Sequence, residues 1–204
     1  MRVKNIQNTE NKKEEIMQQA FLLMSKKGIK EISMSEIAKA CGVTKPVLYY
    51  YFKDKEDLCI QLITSKMEKS NQALSEYIKK EASFEKILIF IFSNYVHALG
   101  NRDVHSDFFL HMHSYAGANP RFHKRMHDFR KESFVLFKSI LEDQYKKGHI
   151  LAKAKDIGLH FILANIAHLI MHRDCTDVKF GPDFAKDMAQ MILSALQYKG
   201  ETHK

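Results

Sequence analysis

Tryptophan is absent, and the 204 residues contain only three prolines and eight glycines. Little therefore interrupts a helix, while Leu, Ile, Met, Lys, Glu and Ala, which favour helix over strand, are abundant. An almost wholly helical chain is expected. Cysteine is scarce as well: Cys41, Cys59 and Cys175 are odd in number, scattered and without C-x-x-C spacing, so neither a disulfide framework nor a zinc finger is indicated. A reducing cytoplasm fits that usage. Long hydrophobic runs are missing too. "ILIFIF" and "FILANIAHLIM" are too short or too polar to span a bilayer, and "MRVKNIQNTENKKEE" at the start lacks the apolar core of a signal peptide. The expectation is a soluble, cytoplasmic protein with no membrane partner.

What is present allows a real core. Hydrophobic residues make up 45% of the chain, and its length suits one large domain or a small domain attached to a larger one. A formal net charge of +8, with 11 histidines counted as neutral, favours an anionic partner such as nucleic acid. Charge alone does not decide it, because lysine-rich solvated faces give the same sum.

Helical periodicity begins over residues 11–27, with Ile16, Ala20, Leu23 and Met24 on one side, before Gly28 stops it. In "SMSEIAKACG", Ser33 and Glu36 form an S-x-x-E capping box ahead of a helix of about two turns that ends near Gly42. Thr44 can cap a third short helix through Tyr50, since Pro46 is tolerated in a first turn. Asp54, with Asp57 three residues on, caps a longer helix reaching Lys79 or Lys80. Further helices are expected over residues 83–99, 105–115, 120–147, 156–172 and 182–198, separated by "GNRD", "AGANP", "KKGH" and "CTDVKFGP". No internal repeat is visible.

Two short helices joined by a glycine-containing turn form the helix-turn-helix pattern, whose second helix enters the major groove with its first residues toward base edges. Thr44, Lys45, Pro46 and Val47 then lie on the leading turn. Lys45 can donate to guanine O6 or N7, and the apolar surfaces of Pro46 and Val47 suit a thymine methyl. The hydroxyls of Tyr49, Tyr50 and Tyr51 can reach phosphates, Lys55 at the next helix start is placed to meet one, and Ser33 and Ser35 are further phosphate candidates. Leu48 and Phe52, four apart, should point inward with Ile37. The plainer alternative makes Tyr49 to Phe52 simple core and Lys45, Lys53 and Lys55 a solvated face.

The run "ISMSEIAKACGVTKPVLYYYFKDKEDL" resembles the DNA-binding segment of the TetR family of one-component bacterial repressors, with "IA", "GV", "LYYYF", "K" and "L" in register over about Lys12–Leu62. The resemblance implies an all-α protein with an N-terminal three-helix DNA-binding domain (9–54), followed by a larger helical ligand-binding and dimerisation domain (55–204). It implies a double-stranded DNA operator, an unknown small-molecule effector and a homodimer formed mainly by the last two long helices, with base or phosphate contacts from Lys45, Pro46, Val47, Tyr49, Tyr50, Tyr51 and Lys55. Pro46 stands where many relatives carry glycine and Val47 where Thr is frequent, so a base hydrogen bond open to those relatives is in doubt here.

A palindromic operator needs two copies of the module. For pairing, the last helix offers Phe184, Met188, Met191 and Ala195, joined by Ile192 and Leu196, although any of these serves equally as internal core. A ligand between the central helices would shift the fourth helix and with it the separation of the two reading heads. Ile63, Met67, Phe92, Val96, Phe108, Phe109, Met112 and Phe122 are the pocket candidates; most could equally be plain core.

Histidines are dense after residue 96. His123 with His127, and His168 with His172, are four apart, and His160 extends the second stripe, the spacing of a metal pair or a haem ligand set. H-E-x-x-H is absent, and ordinary hydrogen-bonding histidines are the preferred reading, with no metal and no cofactor expected. His127-Asp128 also spells the core of helical HD-type metal-dependent phosphohydrolases, the enzyme alternative, in which Asp107 or Asp174 and His97 or His111 would converge on one metal. A two-residue match is far less specific than the DNA-binding run, so no catalytic activity is expected. Lys45→Ala is predicted to weaken specific operator binding by about 1–3 kcal/mol and to relax preference at one base pair, measured against single-base operator variants; unchanged discrimination would remove Lys45 from the base contacts.

Overall fold

The computed structural model describes residues 2–80, 83–100, 105–171 and 180–200. Among the described residues the chain forms nine helices and no strand: α1 (Arg2–Lys27), α2 (Met34–Ala40), α3 (Lys45–Tyr51), α4 (Lys55–Lys79), α5 (Phe84–Gly100), α6 (His105–Ala116), α7 (Pro120–Lys146), α8 (Ala152–Met171) and α9 (Phe184–Ala195). The all-α expectation holds, and most boundaries fall within two residues of those expected. Three differ by more. Helix α1 starts nine residues earlier, because no Pro or Gly interrupts residues 2–10; α8 starts four residues earlier, directly after Leu151; and α9 ends three residues early, at Ala195, where Gln197 adopts φ 52°.

Two compact units are defined by contact: residues 1–68 with 102–127, and residues 69–101 with 128–204. In the first, Ile16, Ala20 and Met24 of α1, Ile37 of α2, Leu48 and Phe52 of the α3 segment, and Leu58 and Leu62 of α4 share one core with Phe108 and Phe122. Cys59 is enclosed in it, its Sγ 3.8 Å from the Met24 sulfur, and burial pushes its thiol up to about 12. Gly28 ends α1 with φ +88°, donating its N–H to the Met24 carbonyl at 2.9 Å. A side chain there would be doubly penalised: by the left-handed backbone, and by the His111 imidazole 3.3 Å from where a Cβ would sit.

In the second unit α5 packs along α9 and against α8. Phe84, Leu88 and Phe92 of α5 share a core with Ile162 of α8 and with Ala185, Ala189 and Ile192 of α9. At Gly158, α8 lies close against the C-terminal segment, since a Cβ would lie 2.6 Å from Cδ2 of the buried Leu196. The α7–α8 turn is closed by polar contacts: His149 Nδ1 pairs with the buried Gln144 Oε1 at 2.9 Å, and the Lys199 N–H donates to the His149 carbonyl at 3.0 Å. Among the described residues no helix is long and apolar enough to cross a membrane. Gly158→Val should overpack this contact and destabilise the fold by about 1–3 kcal/mol; an unchanged thermal midpoint would show that Leu196 yields freely.

Candidate nucleic-acid interface

Helix α2 begins as its sequence indicates. Ser33 Oγ accepts the Glu36 N–H at 3.2 Å while Glu36 Oε2 accepts the Ser33 N–H at 2.9 Å, satisfying two helix-start donors reciprocally. The Ser33 backbone N–H, its hydroxyl and Lys27 hold the Glu36 carboxyl below the usual carboxylate range. The end of α2 is a Schellman turn: Gly42 at φ +62° donates to Lys39 O at 3.2 Å and Val43 donates to Ala38 O at 3.0 Å. That turn delivers Thr44 as the extended N-cap residue of α3, although its side chain makes no capping bond.

Helix α3 is only seven residues long, too short to hold itself together. Leu48 and the C-cap residue Phe52 are 0% exposed and anchor it, whereas Tyr50 is 76%, Tyr49 51% and Val47 39% exposed. Thr44, Lys45 and Pro46 are exposed as well, and Tyr51 is half-buried against the core, its ring edge-on to Tyr50. The aromatic run is therefore divided: Phe52 is core, while Tyr49 and Tyr50 join Thr44, Lys45, Pro46 and Val47 on one accessible edge. Such an edge combines an ammonium, hydroxyls and small apolar surfaces, the groups that read base edges and hold phosphates.

Of the expected flanking residues, Ser35 is exposed on the first turn of α2, and the Ser33 hydroxyl is engaged within its own capping box, donating to Glu36 Oε2 at 2.9 Å. Lys55 stands at the start of α4, as expected. Its Nζ donates to the carbonyls of Ile29 at 3.0 Å, Lys30 at 3.0 Å and Ile32 at 2.9 Å.

The start of α4 also carries contacts that the sequence did not disclose. Asp54 Oδ1 accepts the Asp57 N–H at 2.7 Å, the expected cap, and also the Arg121 Nη2 at 3.1 Å. Glu56 Oε1 accepts the Phe122 backbone N–H at 3.0 Å and Glu56 Oε2 lies 3.4 Å from Arg121 Nε. Glu56 thus places its carboxylate at the N-terminal turn of α7, where unpaired N–H groups and the helix dipole favour an anion. Arg121 is 67 positions from Asp54, and no local pattern announces such a pair.

Among the pocket candidates, Ile63, Phe108, Met112 and Phe122 are buried in the first unit's core with Met67 packed against them. Phe92 is fully buried in the second unit's core and Val96 is half-buried in that unit. The side chain of Phe109 lies outside the described residues. So do His172 and Asp174, and the side chains of His105, Asp107 and His113. His123, His127, His160 and His168 are exposed, His160 lying edge-on to Phe134. Among the described residues no group of three or more His, Cys, Asp or Glu could hold a metal ion.

A Schellman turn between two short helices, with the second exposing its leading turn, defines a helix-turn-helix DNA-binding module. Residues 16–62 match the family model for bacterial regulatory proteins, tetR family, and this module of the chain belongs to that family. The chain is 32% identical over 81 residues to the fatty acid metabolism regulator protein of Bacillus subtilis, covering 40% of this chain and 42% of that one. Against the HTH-type transcriptional regulator AcrR of Shigella flexneri it is 42% identical over 55 residues, 27% of this chain and 26% of the relative. These matches span less than half the length of either curated relative. The fold extends further. The structure of the transcriptional regulator FadR from Bacillus subtilis in complex with stearoyl-CoA superposes with a TM-score of 0.74, at 22% identity, over 89% of this chain and 96% of that one. These relatives are transcriptional regulators, which favours that reading over the helical phosphohydrolase.

Glu56→Ala removes the acceptor of the Phe122 N–H and should cost about 1 kcal/mol, as loss of a helix cap does. Arg121→Ala, whose ion pairs are half exposed, should cost less. Urea denaturation of the two variants would overturn this order if Arg121→Ala proved the more damaging.

Proposed function

We propose that the chain is a dimeric transcriptional repressor without catalytic activity, which holds a palindromic operator through two copies of α3 and leaves it when a small molecule binds. The observation that carries the reading is the division of α3. Its inward residues, Leu48 and Phe52, are completely buried, and its leading edge from Thr44 to Val47, with Tyr49 and Tyr50, is left accessible. A core-only role for the aromatic run would have buried Tyr49 and Tyr50. In function the boundary falls between residues 54 and 55, the reading helices preceding it and the ligand-binding and dimerising helices following.

Dimerisation is supported by the two faces of α9. Ala185, Ala189 and Ile192, with Leu196 beyond the helix end, are buried, whereas Met191 is 67% exposed, Ala195 is exposed, and Phe184 and Met188 are half-buried. The outer stripe is the 184–188–191–195 spacing. It resembles half of a helix-bundle interface, and on α8 the exposed Ile157 and Phe161 add apolar surface. A second copy of the chain would cover such a stripe.

For the effector, an acyl-CoA thioester is the first class to test. The Bacillus subtilis regulator with this fold was solved with stearoyl-CoA, and the curated relative that shares the N-terminal segment is a fatty acid metabolism regulator. Ile63, Met67, Phe108, Met112 and Phe122 form an apolar group that suits an acyl chain, and the net charge of +8 suits the phosphates of coenzyme A. Asp54, Glu56, Arg121 and Phe122 join the start of α7 to the start of α4, so displacement of Phe122 by a ligand would be felt at the helix that follows α3.

Selection from random duplexes at physiological salt should return a two-fold symmetric site, its half-sites one helical turn or a multiple apart. Titrating acyl-CoAs of increasing chain length against that site should weaken binding by roughly 5- to 150-fold for the preferred length. No enriched sequence would end the DNA-reading proposal; an enriched site insensitive to every acyl-CoA would end only the effector class.

A further inference from the structure

We infer that Val47 reads a thymine 5-methyl group in the major groove, and that α3 recognises its half-site more through methyl groups than through hydrogen bonds. The inference rests on the DNA-binding reading above and names the base chemistry which that surface selects. Each base shows a different edge in the major groove. Adenine is matched by the amide of Asn or Gln, cytosine N4 by a carboxylate, guanine O6 and N7 by Arg or Lys, and the thymine methyl by an apolar side chain. Helix α3 has the sequence KPVLYYY and follows Thr44, so it holds no amide, no carboxylate and no guanidinium. Its one cation, Lys45, serves guanine. A tyrosine or threonine hydroxyl both donates and accepts, so it discriminates little between base edges. What remains on the leading turn is apolar: Pro46, which carries no backbone N–H, and Val47.

Burial then selects between an internal and an external role for Val47. The first unit's core gathers Ile37, Leu48, Phe52 and Leu58 and packs Val43 against them, but Val47 lies outside that cluster. It is exposed although the next residue, Leu48, is fully buried, because the two inward anchors of α3 fix the rotation of the helix. Its methyl groups therefore add nothing to the core. A β-branched side chain in a helix holds one preferred χ1 rotamer, so these methyls point in a fixed direction and lose little entropy on contact. Lys45, two positions earlier and also exposed, supplies the neighbouring hydrogen bond to a guanine. The half-site thus combines a guanine with a nearby thymine, and the methyl, not the O4 acceptor, is what Val47 distinguishes. A cytosine bearing a 5-methyl group presents the same apolar group at the same place in the groove.

The operator returned by selection, remade with single thymines replaced by uracil, tests this on the full chain, because uracil lacks only the methyl. At one thymine in a half-site the replacement should weaken binding about fourfold, equivalent to about 0.8 kcal/mol, and in both half-sites together about 15-fold. Cytosine at that position should bind more weakly than thymine, and 5-methylcytosine should recover about fourfold over cytosine. Val47→Ala, an exposed change to a better helix former, should keep the thermal midpoint and lose comparable affinity for the thymine operator, with no further loss on uracil. That comparison separates a methyl contact from altered duplex stiffness, whose penalty would persist in the variant; the uracil and cytosine arms need no variant at all. A sequence-specific operator in which no uracil replacement weakens binding would overturn the inference. So would a uracil penalty undiminished in Val47→Ala, or 5-methylcytosine bound no better than cytosine. A chain without any duplex preference would instead remove the DNA-binding reading, and the methyl contact with it.

Discussion

Complete burial of two side chains, Leu48 and Phe52, is the constraint on which the accessible edge of α3 depends. A seven-residue helix cannot sustain itself in water, because the cost of nucleation is spread over too few hydrogen bonds. Fully burying a large apolar side chain contributes about 1.5–3 kcal/mol, and two such anchors at positions i and i+4 fix both the rotation and the depth of α3. With that rotation set, the residues between and before the anchors have no choice of face. Tyr49 and Tyr50 are turned outward because Leu48 and Phe52 are turned inward.

The rest of the first unit supports this anchoring with hydrogen bonds that close each short element at its ends. The Ser33–Glu36 box starts α2, the Gly42 turn ends it, and Asp54 with Asp57 starts α4. All three are bonds between residues a few positions apart, and that is why they were legible. Their donors and acceptors lie within one turn, so the spacing of Ser, Gly and Asp is itself the geometry. The 3.6-residue periodicity likewise gave the helices and the inward pair, since burial follows the face on which apolar residues recur.

What could not be read were the contacts that tertiary folding creates. Lys55 is a cation at a helix start, and nothing in its neighbours indicates that three carbonyls from residues 29–32 converge on it. Arg121 and Glu56 meet across the chain for the same reason. Periodicity also fails to rank apolar faces: on α9 it marks 184, 188, 191 and 195 as readily as 185, 189, 192 and 196, and only packing against α5, with Leu196 against Gly158 of α8, shows that the second set is internal. The pocket candidates suffer from the same ambiguity, since an apolar residue that lines a ligand and one that fills a core look identical in sequence.

The enclosed sulfur of Cys59 has its own consequence. Burial pushes the thiol up, which disfavours the thiolate through which oxidation proceeds. The side chain is also 0% exposed, so reagents in solvent have no access to this sulfur while the first unit is folded. Cys59 acts as a packing atom beside Met24, so modification of this sulfur by a small electrophile would report opening of the first unit and not oxidative stress.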